Sequence, residues 1–239
     1  MLTVDIVGQD TLAEATRICC QRHFTVSAKS PDILWVAYDT PIGPGDKPDT
    51  DWVIERIREH VKTVVPGTLI LVSSQLPVGT TAALEHLCPG HCFAYSPENI
   101  RVASAVADFE NQARVVVGRR TERHDGKLSK LFAPFTQNLI FTDPETAECC
   151  KHFLNAFLAL NIAYINEAAR ICAKVGADVN VVSLALLSER RISPKAPLRP
   201  GAPFGGGHLA RDIYNLTEIA NLVGVSVPII SHIRESNGQ

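Results

Sequence analysis

The chain has 239 residues, 46% apolar and 20% charged, with a formal net charge of −2. This allows one large or two small domains with a real core and gives no basic field for nucleic acid. No apolar run reaches the roughly 18–20 residues of a membrane span, and the run 154–165, broken by Asn155 and Asn161, reads as a core helix.

Leu2 to Val7 reads as a first strand, with no signal-peptide pattern before it. Residues 10–22 read as a helix and His23 to Ala28 as a short strand. Ile33 to Tyr38 (I-L-W-V-A-Y) is continuously apolar, as a strand buried on both faces requires. Asp39-Thr40-Pro41 and Gly43-Pro44-Gly45-Asp46 form a loop. Residues 50–63 put Val53, Ile57 and Val61 on one helical face, and Pro66-Gly67 ends that helix. Leu69 to Ser73 is a second buried strand and 79–87 a helix. Cys92 to Tyr95, Arg114 to Val117 and Leu139 to Phe141 are further strands, with a helix over 122–133. Strands alternating with helices predict an α/β domain with a mostly parallel sheet.

The pattern changes at Asp143, which can N-cap a helix with Pro144 at its first position and Glu145 and Glu148 in its first turn. The helical pattern runs to about Lys174, with Gly176 as its cap. A helix of roughly 30 residues is about 45 Å long, more than one small domain needs. Further helices are predicted over 178–187 and 212–223, around the Pro- and Gly-rich stretch 193–207, with a frayed tail over 234–239. Seven cysteines include two vicinal pairs, Cys19-Cys20 and Cys149-Cys150, and read as the reduced thiols of a cytoplasmic protein. His86, Cys88, His91 and Cys92 are crowded and lack paired ligand spacing, so no metal site is expected.

Residues 203–212 (P-F-G-G-G-H-L-A-R-D) join a Gly-rich turn, which lets backbone approach a ligand closely, to His208. This segment resembles the active-site loop of the UDP-glucose 6-dehydrogenase, or nucleotide-sugar dehydrogenase, family, which reads roughly G-F-G-G-S-C-x-x-K-D. The similarity runs from about Ile33 to about Leu216. Asp32 to Pro41 resembles the family's strand ending in a T-P turn, and Ser74 to Thr80 its S-T-x-P-x-G-T segment. Tyr95 to Asn99 resembles its P-E-F segment. Ala147 to Asn155, with Asn166-Glu167, resembles its long central helix, and Arg190-Arg191-Ile192 its D-x-R-I segment, with Glu189 in place of Asp. Six motifs in order make common ancestry the natural reading.

The resemblance implies a reduced Rossmann-like domain over 1–142, then a long helix and a small all-α dimerisation domain over 143–239. It implies a chain without the family's C-terminal nucleotide-binding domain, and a homodimer formed through the 143–175 helix, whose Phe153, Phe157, Leu160 and Tyr164 need cover. The ligand it implies is a UDP- or GDP-linked sugar. The implied catalytic set is Glu98, Lys151, Asn155, His208 and Asp212. The implied sugar-side set is Gln75, Arg191, Phe204, Gly205, Gly206 and Arg211, and the implied cofactor contacts are Gly8, Thr40 and Pro41.

Departures from the family are equally specific. His208 stands where the family has its nucleophilic Cys and cannot form a thiohemiacetal. Gln75 replaces a Thr, Arg211 a Lys and Pro203 a Gly. A dinucleotide fold needs Gly-x-Gly-x-x-Gly after its first strand, and this chain offers Gly8-Gln9-Asp10-Thr11-Leu12-Ala13. The ribose segment is mostly missing, with Lys29 near the place of the family's ribose-binding Asp, and conventional high-affinity NAD binding is not expected. Two readings follow. One is a diverged enzyme performing a single oxidation or redox-neutral acid–base chemistry on a sugar nucleotide. The other is a non-catalytic homologue that binds a sugar nucleotide or pairs with a true dehydrogenase.

Overall fold

The computed structural model describes residues 1–44, 47–205 and 207–239. The apolar runs of the described residues become one seven-stranded sheet. Its strands are β1 (Thr3–Val7), β2 (Thr25–Val26), β3 (Ile33–Val36), β4 (Leu69–Val72), β5 (Cys92–Tyr95), β6 (Val115–Arg119) and β7 (Leu139–Thr142). Their spatial order is β2-β1-β3-β4-β5-β6-β7, parallel except that β5 and β6 run antiparallel.

Strand β3 shows why its run is continuously apolar. Ile33 and Trp35 enter one core layer, with residues of α1 (Thr11–Gln21) and α5 (Asp125–Phe132). Leu34 and Val36 enter the other, with Val53, Ile57 and Val61 of α2 (Thr50–Val61) and Leu84 of α3 (Thr80–Leu87). Burial on both faces leaves no polar side to alternate with.

The chain divides into two compact units. The first comprises Met1–Pro41 and Pro48–Lys151, the second Ile42–Lys47 and His152–Gln239. Helix α6 (Pro144–Val175), 32 residues long, begins in the first and ends in the second. In the first unit the head of α6 meets β6 at Gly118. A Cβ there would lie 2.5 Å from Pro144 Cα and 2.9 Å from both Ala147 Cβ and the Asp143 carbonyl. Two of those neighbours are backbone and cannot swing away. Gly118→Ala is therefore expected to cost about 1–3 kcal/mol, read as a lowered midpoint in thermal unfolding.

The second unit packs Ala159 and Ala163 of α6 against Ile213 of α8 (Gly207–Leu222) and Ile233 of α9 (Pro228–Asn237), with Leu160 packed on the same cluster. Three sequence expectations are corrected. The helix expected over 212–223 starts five residues earlier, at Gly207, so His208 and Asp212 are helical and Asp212 is not an N-cap. Residues 234–239 are not a frayed tail, because α9 runs to Asn237 with proline at its start and its Ile233 is buried. The helix expected over 122–133 opens as a 3₁₀ turn, Glu122–His124. Helix α4 (Ala105–Glu110), six residues long, was too short to register as a periodic signal. Helix α7 (Val179–Ser188) is capped by Asp178, which accepts from the Asn180 amide. All seven cysteines are free thiols, and burial pushes Cys20 up to about 12.

Candidate active site

In the first unit, the C-terminal ends of β3, β4 and β5 lie side by side. A short polar ladder ties them together. Trp35 Nε1 donates to Ser73 Oγ at 2.9 Å, and that hydroxyl donates to the Ser96 carbonyl at 2.6 Å. Ser74 Oγ accepts from the Tyr38 amide at 3.1 Å, and Thr40 Oγ1 donates to the Gln75 carbonyl at 2.6 Å. The ladder gathers three predicted site residues, Thr40, Gln75 and Glu98, at consecutive strand ends, the edge where open α/β sheets place ligands. Pro41 sits exposed on the adjoining turn, its carbonyl accepting from the Asp49 amide at 2.8 Å.

Glu98 is held by its own backbone: Oε2 accepts from the Ile100 amide at 2.8 Å. Its other oxygen faces Lys151 Nζ at 3.9 Å. Lys151 is only 8% exposed on α6. A sheltered ammonium beside a sheltered carboxylate is an arrangement suited to moving a proton or steadying a developing negative charge.

Directly after Lys151, in the second unit, α6 presents His152 and, one turn on, Asn155 to Asp212 of α8. His152 Nδ1 donates to Asp212 Oδ1 at 2.6 Å, and Asn155 Nδ2 donates to Oδ2 at 2.5 Å. His152 and Asp212 are both fully buried. Each carboxylate oxygen therefore has a donor, which is what makes such burial tolerable. Arg211, beside Asp212 on α8, donates from Nη2 to Nδ1 of His208, one turn earlier, at 3.1 Å. A guanidinium only donates, so Nδ1 is the acceptor and the ring proton lies on Nε2. Phe204 is clamped by Asn237, whose amide accepts from its N–H at 2.9 Å and donates to its carbonyl at 3.0 Å. Gly205 is exposed, and Gly206 lies outside the described residues. Arg191 is not brought into the buried group: its side chain is 87% exposed and pairs with Glu189 at 3.1 Å.

Residues 8–136 match the NAD binding domain of the UDP-glucose/GDP-mannose dehydrogenase family, and residues 145–239 match that family's central domain. The chain belongs to this family. A UDP-glucose 6-dehydrogenase of Bacillus subtilis, YwqF, is 32% identical over 216 residues, covering 87% of this chain and 49% of the relative. TuaD of the same organism, also a UDP-glucose 6-dehydrogenase, is 30% identical over 244 residues, covering 98% of this chain and 51% of the relative. The chain thus spans about half the length of the curated relatives it matches. The UDP-glucose dehydrogenase structure from Pyrobaculum islandicum superposes with a TM-score of 0.79 at 24% identity, covering 93% of this chain and 55% of that one. The UDP-D-ManNAc dehydrogenase structure from Pyrococcus horikoshii gives 0.84 at 20%, covering 99% and 68%. At those identities the two structures establish the fold.

Against the family's cofactor, the first unit keeps one feature and lacks another. Gly8 has φ +148°, and a Cβ on it would lie 2.4 Å from the Ala37 carbonyl, so the tight first turn of the fingerprint is retained. The second and third glycines are Asp10 and Ala13, and the Thr40 hydroxyl is engaged by Gln75. No helix among the described residues is long and apolar enough to cross a membrane, and none of them form a group of three or more metal-ligating side chains.

Two buried residues escaped the sequence reading. His152 lies three residues from Asn155, the spacing of a shared helical face. Glu148, read as a first-turn acid of α6, instead caps a different helix. Its carboxylate accepts from the Gly79 amide at 2.6 Å, the Thr81 amide at 2.8 Å and the Thr81 hydroxyl at 2.7 Å, at the head of α3. Gly79 has no side chain with which to cap that helix itself. No local pattern announces a cap contributed from 67 or 69 residues away.

Proposed function

We propose that this chain binds a UDP- or GDP-linked sugar and acts on it by acid–base chemistry, without the thiol-dependent double oxidation. Lys151 carries the reading. It is nearly buried, faces Glu98 at 3.9 Å and precedes Asn155 by one helical turn. A lysine is rarely this sheltered without a partner, and the partner here is a carboxylate at the ligand edge of the sheet. In this reading Lys151 steadies negative charge at the sugar, Glu98 exchanges protons with it, and Asn155 is oriented by Asp212. With His208 at the Cys position, no covalent thiohemiacetal forms. The family membership and the NAD- and UDP-sugar-linked names of its relatives support the ligand class.

A homodimer through α6 and a cytoplasmic location belong to the same reading. Phe153, Phe157, Tyr164, Ile171 and Val175 are all exposed on α6 and recur at spacings of four and seven, the stripe of a helix that packs on a partner. Leu160, by contrast, is used inside the second unit. The alternative, a non-catalytic sugar-nucleotide binder or partner of a full-length dehydrogenase, is favoured by His208, whose Nδ1 is engaged by Arg211.

Incubation of the purified chain with UDP- and GDP-sugars, with products followed by mass spectrometry, tests the proposal. Turnover without added NAD is expected, falling at least about 100-fold in Lys151→Ala. Binding without turnover would select the non-catalytic alternative. Turnover indifferent to Lys151→Ala would remove Lys151 from the chemistry.

A further inference from the structure

The crevice of a dinucleotide fold lies where strand order reverses, outside the carboxyl ends of the two strands flanking that point. Here the chain leaves β1 for β2 on one side and returns to β3 on the other, so the reversal falls between β1 and β3. Helix α1 follows β1, and its head points a set of backbone N–H groups into this crevice. In a dinucleotide-binding protein those groups receive the pyrophosphate.

In this chain they are already taken. Asp10 Oδ1 accepts from the Leu12 amide at 2.9 Å and from the Ala13 amide at 3.1 Å. The next amide, of Glu14, is bonded to the Asp10 carbonyl at 3.0 Å. Oδ2 of the same carboxylate accepts from the Asp39 amide, in the loop that follows β3. One side chain therefore caps α1 and spans the crevice from the loop after β1 to the loop after β3. Glu14, one turn further along α1, adds a second carboxylate to a groove that Asp10 also lines, and the neighbouring cation, Arg17, is engaged by Glu14 and by the carbonyls of Ile6 and Gly8.

We infer that Asp10 is an internal stand-in for the pyrophosphate, and that it closes the dinucleotide site of the first unit. The backbone turn that would admit a dinucleotide survives at Gly8. What excludes the ligand is a carboxylate seated on its donors, where an incoming phosphate meets both an occupied position and a like charge. At the pyrophosphate position the block is one side chain, and the turn at Gly8 beneath it is kept. Removing that side chain reopens the position.

The inference stands apart from sugar-nucleotide binding, because the probe is NADH and the readout is the first unit alone. Titration of NADH, by calorimetry and by the fluorescence of its nicotinamide ring, is carried out on the full chain and on three variants. The parent chain is expected to show no saturable binding up to about 1 mM. Asp10→Gly restores the second glycine of the fingerprint, and Asp10→Ser keeps a neutral capping hydroxyl so that α1 stays formed. Both are expected to bind NADH at least about tenfold more tightly than the parent. Asp10→Asn keeps the cap and the volume but not the charge, and is expected to fall between them. Micromolar binding by the parent chain would overturn the inference, as would folded Asp10→Ser and Asp10→Gly proteins that gain no affinity. Loss or retention of UDP-sugar binding in the same proteins reports on the proposed function and leaves the inference about Asp10 unaffected.

Discussion

Asp212→Ala is expected to destabilise the second unit by about 3–5 kcal/mol, the cost of breaking a buried, hydrogen-bonded polar group by deleting one partner. The carboxylate is the common acceptor of His152 and Asn155, at 2.6 and 2.5 Å, and it is fully buried. Its removal leaves two buried donors facing a cavity, and each orphaned donor loses its partner without gaining water. For a chain of this length the fall in Tm is roughly 6–20 °C. Asp212→Asn keeps the volume and one acceptor, so its fall is smaller. It turns an amide toward one of the two donors, so it does not restore the parent value. A shift of less than about 1 kcal/mol in Asp212→Ala, measured by denaturant unfolding, would show that the His152–Asp212–Asn155 group does not hold α6 to α8.

Glu148→Ala is expected to cost a comparable amount, about 3 kcal/mol, in the first unit. Three donors at the head of α3 converge on this one carboxylate, and Gly79 offers no replacement. The group also carries a pH signature. Burial raises its pKa, and the hydrogen bonds from Thr81 and Gly79 only partly offset this. A folded-state pKa above the unfolded value means that the native state holds the proton more tightly. The stability contributed by that proton is fully present below the unfolded pKa. It is lost as pH rises from the ordinary glutamate range through the raised folded value. Urea unfolding across that window should therefore slope downward with pH in the parent chain, and the slope should flatten in Glu148→Gln. A slope unchanged by Glu148→Gln would assign the effect to another group.

Much of this architecture is legible in the residues themselves. Strands β3, β4 and β5 announce themselves because burial on both faces leaves uninterrupted apolar runs, and α2 because Val53, Ile57 and Val61 fall on one stripe. The N-cap of α1 is equally local, with Asp10 two and three residues from the amides it satisfies. Contacts between distant segments are not local. Nothing around Glu148 indicates that its partners are Gly79 and Thr81. Nothing around Asp212, beyond its place in a familiar loop, indicates that it lies inside a helix and faces His152. Glycines 205–207 read as a turn in the sequence, whereas Gly207 opens α8. A Cβ there would fall 1.9 Å from Ile42 Cδ1, the movable tip of an exposed side chain that must shift to make room. The motif residues thus nominate a candidate site, while the hydrogen bonds that orient them are visible only in three dimensions.

The proposed function requires a sugar-nucleotide site that works without the family's thiol and without a bound dinucleotide. Calorimetric titration of the chain with UDP-glucose and with GDP-mannose, in the absence of NAD, tests this most directly. Saturable binding of one of them is expected, weakened at least about tenfold in Lys151→Ala and unchanged by added NAD. Failure of both nucleotide sugars to bind, or binding that appears only when NAD is supplied, would contradict it.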